Sequence, residues 1–187
     1  MDVTTILIIL LVGAFATYFS GDKWASKVAL LFGIIAFTGS ICMLSQYNLG
    51  NEINVVKLWI TKPSIYFALQ ADGLSLAMLL LTTALTPIII YSSFGNDYKN
   101  SKAFYALILF MTFAMAGTFL ASDGLLYYIF WELSLIPIYF IALIWGKWRC
   151  RRTKKSGGEI LYLHICGFIV YAYCFYLFVP KSRQFLD

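Results

Sequence analysis

Asp123-Gly-Leu-Leu-Tyr-Tyr-Ile-Phe-Trp-Glu-Leu-Ser-Leu-Ile-Pro-Ile-Tyr-Phe-Ile-Ala-Leu-Ile-Trp-Gly-Lys147 is the stretch that decides how the rest of the chain is read. Gly124 to Trp145 is apolar or aromatic almost throughout, and about twenty such residues are what a helix needs to cross the hydrocarbon core of a bilayer. Glu132, near the middle, is the exception. A carboxylate at that depth is costly unless it faces protein, water or a countercharge, so its default reading is functional. Pro137, five residues on, lacks a backbone donor and loosens the helical ladder around residue 133. It leaves a carbonyl near Glu132 that can hold water or tune the acid. The competing reading makes Glu132 structural, hydrogen-bonded to a neighbouring helix and never charged. Polar groups used that way in membranes are more often Ser, Thr or Asn.

Composition places the whole chain in the same class as this stretch. Of 187 residues, 61% are hydrophobic and 12% charged, against about 25% charged in a soluble domain. The formal net charge is +5, but the basic residues lie in short loops between apolar runs. They read as topology signals and not as a nucleic-acid surface. Cys42, Cys150, Cys166 and Cys174 show no CxxC pairing, and His164 has no ligand set around it, so no metal site is expected.

In chain order, Val3 to Phe19 is a first apolar run preceded by Asp2 and no basic residue, which argues for a retained helix over a signal peptide. A polar loop, Ser20 to Lys27, leads to a second span from Val28 to Leu44, with Trp24 placed as an interface anchor. Ser45 to Ala71 is too mixed to span and reads as a water-side excursion with short strands. Asp72 then has the type and place of a helix N-cap, opening a third span that runs to about Tyr91 and should bend at Pro87. A polar loop from Ser92 to Lys102 precedes a fourth span, Phe104 to Ala121. Ser122 and Asp123 are almost the whole next loop, which makes the fourth and fifth helices antiparallel neighbours. Beyond the fifth come the basic run Lys147 to Lys155 and a sixth apolar run, Ile160 to Val179. The fold class is therefore all-α: a polytopic transmembrane bundle of about six spans, without a visible repeat.

Lys and Arg number two, two and six in the first, third and fifth loops. The second and fourth loops and the tail carry two, none and two. This bias places the odd loops in the cytoplasm and the N-terminus outside a cell inner membrane, an organellar inner membrane being the alternative.

Phe130-Trp-Glu-Leu-Ser-Leu-Ile-Pro-Ile-Tyr-Phe140, Ile141-Ala-Leu-Ile-Trp-Gly146 and Asp72-Gly-Leu-Ser-Leu76 resemble the antiporter-like, proton-pumping membrane subunit of respiratory NADH:quinone oxidoreductase (complex I), of chain M or subunit 4 type. Subunits of multisubunit cation/proton antiporters share much of this pattern and are the alternative. The resemblance covers residues 1–155 and implies a partial version of a fold of about fourteen helices. It implies that Glu132 is an intramembrane proton-transfer carboxylate, with Trp131 and Pro137 in supporting places. In the family the Glu faces a Lys on the seventh helix, and a change in their coupling moves a proton. A nearby cation favours a carboxylate's ionised form, and its withdrawal disfavours it. No such Lys lies in these residues. The resemblance further implies that NADH, FMN, iron–sulfur clusters and quinone belong to partner subunits, that this chain itself holds no cofactor, and that its partners are other membrane-arm subunits and lipid.

Residues 156–187 depart from the family. A one-base shift of suitable codons for Ser156-Gly-Gly-Glu-Ile-Leu-Tyr-Leu163 reads Ala-Val-Val-Lys-Phe-Phe-Ile, the type of segment that family members carry here. The expectation is a change of frame near Lys155, the competing reading being a divergent short homologue. On the first reading the chain is truncated and does not pump alone, or is a membrane-inserted fragment without function.

Overall fold

The computed structural model describes residues 3–48, 54–60, 65–95, 98, 100–145 and 167. Among the described residues, five α-helices carry the fold: α1 (Val3–Phe19), α2 (Asp22–Asn48), α3 (Gly73–Ser92), α4 (Ser101–Leu120) and α5 (Gly124–Trp145). The last four are long and apolar enough to cross a membrane, and α1 is a shorter apolar helix of 17 residues. The expected sixth run lies outside the described residues apart from Gly167, as do the basic run from Lys147 to Lys155, Cys150, Cys166, Cys174 and His164.

The second helix is longer than its apolar run. It begins at Asp22 and ends at Asn48, so the expected first loop shrinks to Ser20 and Gly21. The hydropathy pattern marks where lipid begins, whereas the helical ladder continues into water wherever no residue breaks it. Asp22 also sits in the first turn, where a negative charge meets the positive end of the helix.

Between α2 and α3, β1 (Asn54–Ile60) and β2 (Ile65–Gln70) form an antiparallel hairpin in which Asn54 pairs with Gln70 and Val56 with Ala68. The strands expected in the excursion are therefore present. The hairpin is anchored: Leu69 is fully buried and forms a bridge with Ala121, and the Ser122 N–H donates to the Ala68 carbonyl at 2.9 Å. The turn between α4 and α5 thus rests against β2.

The core centres on α4, which packs against each of the other four helices. Its buried residues, among them Phe104, Leu109, Thr112, Ala116 and Leu120, point in several directions, as a helix surrounded by protein requires. The outer helices bury one stripe each. That of α2 is made of small residues, Ala25, Ala29, Gly33, Ala36 and Ser40, which let backbones approach where no hydrophobic effect drives helices together. Large apolar side chains such as Ile8, Phe15, Leu31, Leu81 and Ile88 face outward, as lipid permits.

Hydroxyl pairs cross the interfaces inside this apolar bundle. Ser40 and Thr83 meet at 2.9 Å between α2 and α3, and Thr86 and Thr112 at 3.0 Å between α3 and α4. Each hydroxyl also lies within reach of a carbonyl in its own helix, for example Thr83 Oγ1 2.8 Å from the Leu79 carbonyl, so in each pair one hydroxyl turns its proton across the interface and the other keeps it within its helix. Pro87 lies inside α3, which continues through it to Ser92.

Candidate functional site

Both helices that begin with Asp-Gly-Leu are capped by the aspartate. Asp72 accepts from the Ser75 N–H at 2.7 Å in front of α3. Asp123 accepts from the N–H groups of Leu125 and Leu126 at 2.9 and 3.3 Å in front of α5. The cap expected at Asp72 is present. That at Asp123 escaped the sequence reading, although the repeated triplet was the available signal. Hydrogen bonding with Ser75, first through its side chain and then its backbone N–H, holds the Asp72 carboxyl below the usual aspartate range. Asp72 therefore organises α3, a helix packed on α2 and α4.

From its cap, α5 descends with two different faces. One buries Leu126, Phe130, Ser134 and Pro137. It meets α4, where the Phe130 ring contacts Phe113 edge-on at 5.7 Å and lies so close to Gly117 that a Cβ there would collide with it. Glu132 stands two residues from both Phe130 and Ser134, about 200° around the helix from each. It points away from α4.

On that second side, Tyr128, Glu132, Leu135, Tyr139 and Ala142 are all half-buried at the spacing of one helical stripe. Tyr127, Trp131, Ile136 and Ile138 beside them are exposed. Glu132 thus lies on the side of α5 opposite the residues it buries against α4. Gly167, from elsewhere in the chain, lies near Tyr128: an added Cβ there would stand 3.4 Å from the Tyr128 Oη.

The Tyr128 hydroxyl donates to Glu132 Oε1 at 2.9 Å, one turn up the same helix. The Trp131 ring packs on Tyr128 with centroids 5.6 Å apart, and the Trp131 carbonyl accepts the Ser134 hydroxyl at 2.7 Å. The structure therefore brings Trp131 and Glu132 together around Tyr128, a residue the sequence reading did not select. Pro137 is buried on the α4 side, about 140° around the helix from Glu132. Its contribution to the site runs through the backbone, where the Leu133 carbonyl has lost its usual donor.

Glu132 lies nine residues from the capping Asp123, a rise of about 13 Å, and so sits within the span. A carboxyl held at that depth by a hydroxyl can exchange a proton without leaving its place. Among the described residues no group of three or more His, Cys, Asp or Glu could hold a metal ion.

No family model matches the chain. Similar curated proteins are nevertheless consistent in kind. F(420)H(2) dehydrogenase subunit M of Methanosarcina mazei is 28% identical over 190 residues, which cover 98% of this chain and 38% of the relative. Chloroplastic NAD(P)H-quinone oxidoreductase chain 4 of Chaetosphaeridium globosum is 39% identical over 171 residues, 88% of this chain and 32% of the relative. NADH-quinone oxidoreductase subunit M of Buchnera aphidicola is 34% identical over 117 residues, 61% of this chain and 23% of the relative. The chain spans about a third of the length of the first two. Over that portion, the chain belongs to the chain 4/subunit M type of membrane subunit found in complex I and its relatives.

Proposed function

We propose that the chain works within the membrane arm of an NADH:quinone oxidoreductase and that Glu132 takes up and releases a proton inside the membrane. The observation carrying this is the half-buried Glu132 carboxyl in mid-span, bonded by Tyr128 on the face of α5 turned away from the other described helices. A carboxyl at this depth is rare without a functional reason. Its stripe of half-buried residues suits a further helix of the same protein or a partner subunit, across which the proton would pass. NADH oxidation and quinone reduction belong on this reading to partner subunits, with this chain supplying the membrane step. Since it covers about a third of its relatives' length, we further infer that these 187 residues do not translocate protons alone.

Glu132→Gln in the assembled complex tests the first inference, because it keeps shape and hydrogen bonding while removing the titratable group. Proton translocation by inverted vesicles should fall about a hundredfold or more, with the complex still assembled on a native gel. Unchanged translocation would rule out the proton-transfer role. A Glu132-dependent proton flux by the purified 187-residue chain in liposomes would refute the second inference.

The proposal of a changed frame after Lys155 meets a competitor in the M. mazei match, which runs over 98% of the chain. Sequencing the genomic DNA downstream of the Lys155 codon decides between them. A family-like continuation in another frame supports the change, and its absence in every frame overturns it.

A further inference from the structure

We infer that Tyr128 is a positioning residue for Glu132: its phenol fixes the direction of the carboxyl within the membrane and so sets the rate at which Glu132 passes a proton. This rests on the role proposed above for Glu132, but the contact itself can be tested separately.

The geometry is specific. Residues four apart on a helix lie one above the other, and a tyrosine at the earlier position can reach a glutamate at the later one. Here the Oη–Oε1 distance is 2.9 Å, the length of a formed hydrogen bond. Both side chains are half-buried, so water competes less for the bond than it would at a surface. Two neighbours flank the phenol. The Trp131 ring packs on one side with centroids 5.6 Å apart, and Gly167 lies near the hydroxyl, which would be 3.4 Å from a Cβ added there. A phenol held in this way gives the carboxyl one orientation instead of several rotamers, and orientation governs proton-transfer rates. The other ionisable group described on this stripe is Tyr139, two turns further along.

The adjacent Tyr127 provides a built-in control. It is 49% exposed and lies about 100° around the helix from Tyr128, on a face turned outward. Only Tyr128 stands four residues before Glu132, and the structure shows that it holds the carboxyl.

The test reads the carboxyl directly. In the purified full chain in lipid nanodiscs, the carbonyl band of the carboxylic acid form of Glu132 should be identified as the infrared band that E132Q abolishes. Y128F should shift this band upward, because the carbonyl loses its donor, while Y127F should leave it in place. Uniform incorporation of 3-fluorotyrosine, a stronger donor of nearly the same size, should move it downward in the native chain and not in Y128F. In the assembled complex Y128F should slow proton translocation about tenfold, the scale of one lost hydrogen bond to a charged group, and Y127F should not. A band unmoved by both Y128F and fluorination overturns the inference, as does a shifted band with full translocation. If E132Q itself leaves translocation intact, the proposed role of Glu132 fails, and the band shift still reports whether Tyr128 holds the carboxyl. The fluorinated native chain gives this reading even if Y128F does not fold.

Discussion

Single aspartates at helix starts show how far one residue's environment can be turned into a stability statement. Asp72 is nearly fully exposed to water, and its carboxyl is held below its ordinary range by hydrogen bonding with Ser75. A group whose proton affinity is lower in the folded than in the unfolded state stabilises the fold above its unfolded value. That contribution is lost as pH falls through the folded one. Native α3 should therefore fray as pH drops from about 5 toward 2, with less change in Asp72→Asn, which keeps a cap acceptor without the charge. Asp72→Ala should cost about 1 kcal/mol at neutral pH, the usual value of an N-cap. Denaturation by sodium dodecyl sulfate, followed by circular dichroism at each pH, measures both effects. At this scale the sequence was informative where a residue type was out of place and silent where it was not. Glu132 stands out because it is charged in an apolar run. Tyr128 does not, because Tyr127, Tyr128, Phe130 and Trp131 look alike as membrane aromatics until one of them is seen to hold the carboxyl.

At the level of elements, the contact between α4 and α5 depends on the absence of a side chain. The position of a Cβ on Gly117 is already taken by the Phe130 ring. Gly117→Ala should separate the two helices and destabilise the bundle by about 1–3 kcal/mol, the range for an overpacked interior. Phe130→Leu should recover part of the loss, so a double-mutant cycle read by denaturation would show strong coupling. If Gly117→Ala costs nothing, the helices do not approach this closely. The hydroxyl pairs make a weaker demand. Thr86→Val and Thr112→Val should show a coupling of about 0.6 kcal/mol, typical of interhelical hydrogen bonds in membranes. The order of the described helices was readable from runs of apolar residues. The pairing of helices was not, because residues such as Gly33, Thr83 and Gly117 declare an interface only when the opposite partner is known. The length of α2 was hidden for a related reason, since its first residues, Asp22, Lys23 and Trp24, are exposed and helical at once.

For the whole molecule, the arrangement of ends converts one labelled position into a complete topology. The backbone N–H of Lys102 donates to Asp22 Oδ1 at 3.2 Å, so the turns before α2 and before α4 lie on one side. The bridge between Leu69 and Ala121 places the hairpin and the turn between α4 and α5 together on the other. The basic loops expected inside include the Asp22 side, which carries Lys23, Lys27 and Lys102. Gly21 and Ser122 are suitable reporters of the two sides. Gly21 has open space around the position of a Cβ, and both residues are exposed. In a chain with its own cysteines replaced by serine, a membrane-impermeant maleimide added to intact cells should label Ser122→Cys and leave Gly21→Cys untouched until the membrane is opened. The reverse pattern would invert the assigned orientation. Glu132, about 13 Å below the Asp123 cap, would then lie nearer the cytoplasmic than the outer surface.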